Sequence, residues 1–447
     1  MESERDRQME DKSTGVPDEA KQVEQAAALR PIAEPCVWTD RMLMALARGV
    51  KGGKWYSVID KVWKPETLRR AFELVKQKGG AAGVDEQTIE DFERHHDANI
   101  ERISRNIREE TYEPKAVKRT WIPKPGGAEE RPLGIPTIED RVIQMACKIV
   151  LEPIFEKDFA EHSYGFRPKR SAKDALRHFD GLLQEGAVWV VDADIKSYFD
   201  EIPHRQLMER VSQRVSDGRM LELVETFLDQ EVVDGDDRWR PDKGTPQGGV
   251  ISPLLANIYL NPLDHHMAEQ GYEMIRYADD FVVVCATEEE AKEALHVIET
   301  WVNGAELRLH PEKTKLVDAS GNEGVHFLGY AFKNGVKVPR EKAKKRFKEK
   351  IRAKTRRTEG HSLETVIEEV NEVTESWFEY FKHSCGPGLT SLDGWIRNRL
   401  RAILKQRAGK PGHPGPADYK RWPNSFFAKC GLSTMAGLRA AIHRSLF

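Results

Sequence analysis

Residues 276–284 read RYADDFVVV, so that two adjacent acids, Asp279 and Asp280, stand between apolar, strand-forming residues. Two neighbouring carboxylates in such surroundings repel each other and lose solvation, which favours a site where cations neutralise them. The pattern predicts a β-hairpin with strands over 274–277 and 281–286 and with the acids at its tip. An Asp-Asp pair is also common in surface turns, so this pair alone does not identify a site.

A second acidic strand lies upstream. Residues 188–195 read VWVVDADI, an apolar run broken by Asp192 and Asp194. These alternate positions point to the same face of a sheet, so at least one carboxylate can meet the hairpin pair. Carboxylates from separate strands can hold two divalent cations, roughly 3.5 to 4 Å apart, that clamp the attacking and leaving oxygens of a phosphoryl transfer. Mg²⁺ is expected, because it prefers hard oxygen ligands and needs few protein carboxylates.

Five ordered blocks of sequence surround these acids. In chain order they read RPLGIPT at 131–137, SYGFRP at 163–168, the acidic strand with FDEIPH at 199–204, KGTPQGGVISPLLANIYL at 243–260 and YADD at 277–280, after which LHPEKTK and FLGY follow at 309–315 and 327–330. Over roughly residues 55–400 they resemble the reverse transcriptases encoded by bacterial group II introns, the intron-encoded reverse transcriptase/maturases. The resemblance implies an α+β right-hand polymerase fold, with fingers, a palm whose antiparallel sheet packs on helices, and a helical thumb or maturase domain.

The resemblance assigns roles to the acids. It implies that Asp194 and Asp279 bind the metal ions directly, with Asp280 beside them, and that all three are catalytic. It also implies that Ile195, the residue after Asp194, contacts both metal and nucleotide. Two further acids could instead be exposed strand-end residues or partners that orient a ligand: Asp192 and Asp200.

The same resemblance places the incoming nucleotide. Lys124 and Arg131 are the expected triphosphate ligands, because Lys supplies a point charge and Arg a bidentate contact, although either could be an ordinary solvated charge. Phe199 stands where related polymerases place an aromatic ring under the sugar, and such a ring would collide with a 2′-hydroxyl and favour deoxynucleotides. Gln247 is expected to contact the nucleotide and Lys313 to approach the site. The alternatives are core packing for Phe199, a turn hydrogen bond for Gln247 and an ion pair with a palm carboxylate for Lys313.

Charge is distributed unevenly along the 447 residues, whose net charge is −3. Residues 331–447 carry 25 Lys and Arg against 11 Asp and Glu, or +14, whereas residues 1–330 carry 45 against 62, or −17. The basic stretch at 342–357 could be a solvated helix face, but after a polymerase-like core it is expected to line the primer–template channel. Three alternating arginines suggest a second surface that faces RNA or DNA: Arg397, Arg399 and Arg401.

Composition favours an intracellular protein. The hydrophobic content of 39% suffices for a buried core. The sequence contains no apolar stretch of about 18 residues and no secretion signal at the N-terminus. The five cysteines form no Cys-x-x-Cys pair, so a zinc site or a disulfide framework is not expected. We expect a cytoplasmic bacterial protein associated with the nucleoid or with a ribonucleoprotein.

Composition and periodicity divide the chain into predicted segments. The first is a disordered acidic tail, and the last could be a small DNA-binding segment or a C-terminal cap on the thumb. The predicted bounds are 1–35 for the tail, 36–110 for an N-terminal helical extension, 111–185 for the fingers, 186–338 for the palm, 339–410 for the thumb or maturase (X) domain and 411–447 for the last segment. Palm strands are expected at 188–195, 274–286 and around 325–332.

Together these expectations describe an RNA-directed DNA polymerase that copies RNA into DNA with Mg²⁺ and deoxynucleoside triphosphates. Its expected partners are an RNA template with a DNA primer, target DNA, and the group II intron RNA, which it would bind as a maturase to assist splicing. Two alternatives remain open, a splicing factor that binds RNA without polymerising and a domesticated reverse transcriptase in DNA repair, defence or retron-like synthesis. The last 50 residues contain one cysteine, Cys430, and no metal-ligand spacing, so the HNH-type nuclease of many relatives is not expected.

Overall fold

The computed structural model describes residues 30–123, 130–321, 323–333, 335–357, 360–384, 388–410 and 412–445. Lys124 and most of the predicted tail over 1–35 lie outside the described residues. Within these ranges, no helix combines the length and the apolar character needed to cross a membrane.

The described chain alternates between helical regions and three small sheets. The helices are, in chain order, α1 (Asp40–Arg48), α2 (Ile59–Val62), α3 (Pro65–Lys78), α4 (Ile89–Arg94), α5 (His96–Arg108), α6 (Ile138–Glu156), α7 (Ala172–Gln184), α8 (Tyr198–Glu201), α9 (His204–Ser212), α10 (Gly218–Leu228), α11 (Ser252–Glu269), α12 (Glu288–Gly304), α13 (Glu341–Lys354), α14 (Leu363–Phe381), α15 (Gly388–Arg407), α16 (Pro416–Arg421), α17 (Asn424–Lys429) and α18 (Met435–Ser445). The strands are β1 (Val117–Pro123), β2 (Glu130–Ile135), β3 (Trp189–Asp194), β4 (Val232–Asp234), β5 (Asp237–Trp239), β6 (Glu273–Tyr277), β7 (Asp280–Cys285), β8 (Lys315–Asp318), β9 (Val325–Phe327), β10 (Tyr330–Lys333) and β11 (Val336–Pro339).

The N-terminal helices pack around α6, which is buried on nearly all sides. Its sequence is apolar over most of its length, and a helix that is apolar all round is stable only inside a core. α3 lies against it. α5 buries Ile100, Ile103 and Ile107, whose spacing of three and four residues forms one helical face. The first strand of the first sheet follows α5 in the chain.

The first sheet has the strand order β2-β1-β4-β5. β1 and β2 form an antiparallel hairpin in which Ile122 lies opposite Arg131, and β1 pairs in parallel with β4. The loop at 244–249 packs against β2. At Gly248 in this loop φ is +116°, and a Cβ atom there would lie 2.2 Å from the carbonyl oxygen of Gly134, so only glycine fits.

The central sheet has the order β6-β7-β3-β8 and is antiparallel throughout. One face, which includes Val191 and Val283, packs on α11 and α12. The opposite face, which includes Val190 and Val282, packs on α7 and on the three-stranded sheet β11-β10-β9. Because both faces are covered, β3 and β7 read as nearly continuous apolar runs.

The region around 325–332 differs from the sequence prediction. Instead of one palm strand it forms β9 and β10, separated by a turn at Leu328 and Gly329 that has positive φ at both residues. These two strands belong to the three-stranded sheet. β8 takes the edge of the central sheet instead. With only four residues, β8 is too short for its alternation to be read from the sequence.

The C-terminal helices have a hydrophobic core of their own. Phe347 of α13, Phe378 of α14 and Leu400 of α15 share this core with Trp422 and Phe427. The described part of the segment 411–447 therefore packs on α13–α15.

The prediction of an RNA- or DNA-facing surface is wrong for Arg401. This side chain is 2% exposed, and it donates hydrogen bonds to the carbonyl oxygen of Trp422 at 2.9 Å and to Oδ1 of Asn424 at 2.7 Å. A two-residue alternation is the period of a strand, whereas positions two apart in a helix point in different directions. Arg397, Arg399 and Arg401 consequently do not share one face of α15.

Two tyrosines join α14 to the three-stranded sheet. The hydroxyl of Tyr330 donates to the carbonyl oxygen of Tyr380 at 2.6 Å, and the hydroxyl of Tyr380 donates to that of Leu328 at 2.8 Å. The ring of Phe381 packs on Tyr330 with 4.9 Å between centroids. These two hydrogen bonds and the ring contact fix α14 to the three-stranded sheet.

Candidate active site

The YADD sequence forms the tip of the β6–β7 hairpin. Tyr277 pairs with Asp280, which leaves Ala278 and Asp279 as the two turn residues, and the predicted hairpin is confirmed. Ala278 has a φ of +62°, the sign that the first central residue of a type II′ turn requires. Glycine is the usual residue in this conformation, so the surroundings must hold the alanine in place.

The strand register brings the carboxylates together. Asp194 lies directly opposite Asp280 in the β3–β7 pair, and directly opposite side chains lie on one face of a sheet. Asp192 is on the same face, opposite Val282. Val282 is buried whereas Asp280 is exposed, so the covered part of this face ends between them. Beyond that point the acids lie at the uncovered end of the sheet, which we call the cleft, with Asp279 in the adjoining turn.

Lys313 reaches this cluster from the segment before β8 and forms an ion pair with Asp194. The N–H of His310 donates to the carbonyl oxygen of Asp194 at 2.7 Å, which ties this segment to the end of β3. The lysine side chain is 60% exposed and therefore free to rotate away. Lys313 thus lies at the cleft. It forms the ion pair with a carboxylate that was the alternative expectation from the sequence.

Burial, and then the charges of neighbouring carboxylates, raise the pKa values of these carboxyls. Burial raises the pKa of Asp192 to about 6, although Lys315 and Arg340 act in the opposite direction. Asp280 keeps much of its surface exposed, yet partial desolvation and then the charges of Asp192, Asp279 and Asp194 raise its pKa to about 7. Desolvation also raises the pKa of Asp279.

The chemistry of these side chains fits a divalent metal. Carboxylate oxygens are the donors that hard cations prefer, and crowded carboxylates with raised pKa values gain most from an added positive charge. Lys313 already places one such charge against Asp194. Asp194, Asp279 and Asp280 are therefore the residues that could hold a divalent ion.

A buried polar network, which we call the Arg276 brace, holds the turn from behind. Arg276 is fully buried, and its Nε donates to Oδ1 of Asp264 at 2.7 Å. Its Nη1 donates to Oδ1 of Asn257 at 3.0 Å and to the carbonyl oxygen of Ala278 at 2.9 Å. Asn257 Nδ2 in turn donates to the carbonyl oxygen of Gly165 at 2.8 Å. The brace therefore links β6, α11 and the SYGFRP segment to the turn that holds Asp279.

Sequence reasoning missed the brace. Arg276 carried a signal, since a charged residue inside an apolar strand is expected to have a buried partner. Its partners lie on other elements, however, and Asp264 belongs to no motif. Asn257 and Gly165 were recognised only as parts of blocks.

The remaining predicted site residues lie around the cleft with different contacts. The charge of Arg131 acts on Asp279, where it opposes the rise in pKa. Phe199 is partly buried, with Phe166 packed edge-on at 6.3 Å between ring centroids. Gln247 Nε2 donates to Oδ2 of Asp200 at 2.8 Å, and desolvation raises the pKa of that carboxyl. The side chain of Ile195 is 2% exposed, so any contact with a metal or a nucleotide would involve its backbone.

Two protein families match this chain, one over the region of the acidic strands and one over the C-terminal helices. Residues 122–332 match the reverse transcriptase (RNA-dependent DNA polymerase) family, a range that contains both acidic strands and Lys313. Residues 344–419 match the maturase-specific domain of group II introns.

Individual proteins give the same picture. Protein YkfC of Escherichia coli (strain K12) is 32% identical over 313 residues, which cover 60% of this chain and 81% of YkfC. The group II intron-encoded protein LtrA of Lactococcus lactis subsp. cremoris is 37% identical over 203 residues, 45% of this chain and 33% of LtrA. The alignment thus spans about a third of LtrA.

Among solved structures, telomerase from Candida albicans in complex with a fragment of telomeric RNA aligns with a TM-score of 0.41 and 13% identity, over 71% of this chain and 64% of that chain. The two family matches, the extent of the match to YkfC and the α+β arrangement of antiparallel sheets and helices agree with the predicted right-hand polymerase fold. The chain belongs to the group II intron-encoded reverse transcriptase/maturases, with an RNA-directed DNA polymerase domain followed by a maturase-specific domain.

Proposed function

We propose that the chain extends a DNA primer on an RNA template from deoxynucleoside triphosphates, with Mg²⁺ held by Asp194, Asp279 and Asp280 and by the backbone of Ile195. The observation that carries this proposal is the strand register that sets Asp194 opposite Asp280, next to the turn that holds Asp279. When bound, Mg²⁺ would activate the primer 3′-hydroxyl and stabilise the charge on the transferred phosphoryl group.

The surrounding residues bind and orient the nucleotide. Arg131, whose charge reaches Asp279, binds the triphosphate together with Lys124, which lies between the sequences of β1 and β2. Lys313 leaves Asp194 when substrate enters and turns its ammonium group toward the phosphates, because its exposed side chain can swing that far. Cations at these points screen the charge that grows on the phosphate oxygens in the transition state.

Phe199 selects the sugar of the nucleotide, and Gln247 helps to position the nucleotide. The ring of Phe199, supported by Phe166, occupies the space where a ribose 2′-hydroxyl would lie, and deoxynucleotides are favoured for that reason. Gln247 contacts the nucleotide from the loop at 244–249, with its amide oriented by Asp200.

We propose a division of the chain into the fingers, palm and thumb of a polymerase. We assign the fingers to 111–185, the palm to 186–338 and the thumb or maturase domain to 339–410. Helix α13 presents one cationic face, with Arg346 and Lys350, to a groove of about 720 Å³ beside Trp377 and Gly329. This groove adjoins the palm, and we propose that it holds the primer–template duplex.

The other cationic face of α13 is the proposed contact for intron RNA. Lys348, Arg352 and Arg399 surround the ring of Trp395, at 5.6 to 5.8 Å from its centroid. Cations held on an aromatic ring suit RNA, because they neutralise phosphate while the ring stacks on an unpaired base. The protein would bind the folded intron here and assist splicing, and the same particle would carry out reverse transcription at target DNA.

Primer extension tests the polymerase part of this proposal. Purified protein, an RNA template and a DNA primer are expected to yield cDNA with Mg²⁺ and deoxynucleotides, and none with a chelator or with ribonucleotides alone. Absence of cDNA together with tight binding of intron RNA would favour a splicing factor that does not polymerise.

Charge reversal tests the maturase part. The double variant Lys348→Glu/Arg352→Glu is expected to bind intron RNA at least about tenfold more weakly, with a salt dependence reduced by about one unit of slope for each lost phosphate contact. Primer extension on an unrelated template should persist. Lys420→Glu/Lys429→Glu changes net charge equally on exposed residues and serves as the control. An equal loss of affinity for intron RNA in both double variants would show a general charge effect and contradict the assignment of this face to intron RNA.

Metal binding is expected to depend on pH. In the metal-free fold the carboxyls of Asp192 and Asp280 have pKa values of about 6 and 7, whereas an unfolded aspartate has about 3.9, so the folded state binds more protons. Without metal, this cluster therefore destabilises the fold increasingly as pH rises from about 4 to 7. Mg²⁺ must displace the proton of its ligand Asp280, so its affinity should fall about tenfold per pH unit below about 7.

Thermal unfolding measures this linkage. The rise in Tm caused by Mg²⁺ should be larger at pH 8 than at pH 6. The double variant Asp279→Asn/Asp280→Asn should lose most of this Mg²⁺-dependent rise. A rise in Tm that is the same at both pH values would mean that the acids are already ionised without metal.

The close contact at Gly165 gives a further expectation. A Cβ atom on Gly165 would lie 2.1 Å from the N atom of Ala278, so Gly165→Ala must displace the catalytic turn. Because a shift of about 1 Å in a reacting group can cost about 100-fold in rate, we expect a loss of that order in primer extension. Gly181→Ala is the control, since its Cβ would meet no atom within 4 Å and it lies on helix α7. Unchanged activity of Gly165→Ala would show that the turn relaxes without cost.

A further inference from the structure

Two histidines and a glutamate meet outside the catalytic cleft. His162 precedes the SYGFRP segment, His178 lies on α7 and Glu273 begins β6. One possible ligand atom from each lies within 4.8 Å of the other two. His162 Nδ1 is 3.2 Å from a carboxylate oxygen of Glu273, and the two imidazole rings are 4.5 Å apart. Their separation in sequence explains why no motif revealed them.

We propose that His162, His178 and Glu273 bind a Zn²⁺ ion. Zinc prefers imidazole nitrogen with carboxylate oxygen, at about 2.0 to 2.2 Å, and three protein ligands with water in a fourth position are a common set. Tetrahedral bonds of that length separate neighbouring ligand atoms by about 3.3 Å. The pair formed by His162 and Glu273 already has this spacing, and the ligand atom of His178 lies no more than 4.8 Å from each of their ligand atoms.

The surroundings of His178 suit a metal ligand. The hydroxyl of Tyr164 lies 3.1 Å from Nδ1 of His178, so the ring is held by a second group and Nε2 is left for the metal. Burial, and then the charge of His162, lower the pKa of His178, which keeps its nitrogen unprotonated near neutral pH. Glu161 and Glu185 add negative charge around the site.

The position of the site indicates what the ion does. The chain at 162–165 runs in parallel beside β6, where the N–H of Arg276 donates to the carbonyl oxygen of His162 at 3.0 Å. A zinc ion would therefore join this segment, β6 and α7 behind the catalytic turn. It would stabilise the Arg276 brace without taking part in the reaction at Asp279, and this role rests on the geometry alone rather than on the proposed substrates.

Zinc binding by the whole protein tests the proposal. After treatment with a chelator, Zn²⁺ is titrated by calorimetry in excess Mg²⁺, which occupies carboxylate-only sites, and Tm is measured in parallel. We expect one zinc per chain at the cluster and a Zn²⁺-dependent rise in Tm. Glu273→Gln and His178→Gln should weaken binding more than about 100-fold, and Tyr164→Phe about 10- to 100-fold. Glu273 is half exposed, so its variant should fold even where a histidine variant does not.

The effect of each substitution on Zn²⁺ affinity identifies the site. The total amount of zinc bound does not, because thiols such as that of Cys36 also bind Zn²⁺. His361→Gln, at an exposed histidine outside the cluster, should bind and respond like the natural sequence. The proposal is overturned if the natural sequence binds no zinc, or if Glu273→Gln and His178→Gln both bind it as tightly as His361→Gln.

Discussion

Asp279→Asn is expected to lower the rate of primer extension at least about 1,000-fold. A metal ligand contributes several kcal/mol of transition-state charge stabilisation, and each 1.36 kcal/mol corresponds to a factor of ten in rate. The amide keeps the size of the side chain, so the turn beside Gly165 keeps its shape. Steady-state extension on an RNA template with saturating Mg²⁺ measures the effect.

The same variant should raise stability in the absence of metal. Desolvation and then the charge of Asp194 raise the pKa of Asp279, so its ionised form destabilises the metal-free fold and its replacement by a neutral amide removes that cost. We therefore expect a higher Tm in chelator together with lost activity. Asp318→Asn, at the far end of the central sheet opposite Trp189, should keep its activity within about twofold. Retained activity in Asp279→Asn would place the catalytic metal elsewhere.

Arg276→Met is expected to destabilise the fold by about 3 to 5 kcal/mol. The substitution leaves the carboxylate of Asp264, which is 6% exposed, buried without its partner, and breaking a buried pair has a cost of this size. It also removes the donor to the carbonyl oxygen of Ala278, so primer extension should fall as well. Chemical denaturation measures the free energy of unfolding.

A second substitution separates charge from positioning. Arg276→Met/Asp264→Leu should recover most of the stability, because an apolar pair of similar volume can replace a buried ion pair at little cost. Activity should stay low, since Asn257 and Ala278 still lack the guanidinium. Arg205→Met breaks an exposed pair with Glu209 and should change stability by less than about 1 kcal/mol. Full activity in the double variant would show that the turn does not depend on the Arg276 brace.

The sequence predicted those parts of the molecule that rest on local pattern. The apolar run broken by Asp192 and Asp194 predicted one strand and the run broken by Asp279 and Asp280 predicted a hairpin, because alternation and turn chemistry operate over a few residues. The order of the motif blocks predicted the fold class. The assignment of each acid and each nucleotide contact still awaits the experiments above.

What the sequence did not predict depends on contacts between distant elements. The partners of Arg276 lie on α11 and in the turn, and His162, His178 and Glu273 are separated by up to 111 positions. No local period marks such pairs. The error at Arg401 has a related cause, since its role is set by Trp422 and Asn424, which fold back from the C-terminal helices.

The Arg276 brace and the proposed metal-binding acids are expected to respond differently to a loss of polymerase activity. In a descendant that still bound intron RNA but no longer copied it, mutations at Asp279 would be tolerated, whereas losses at Arg276 or Asp264 would still unfold the domain that carries the maturase helices. Such a lineage would lose the acids at the cleft first and would keep the buried arginine. A related chain that keeps the brace but lacks Asp279 is therefore expected to bind intron RNA without copying it.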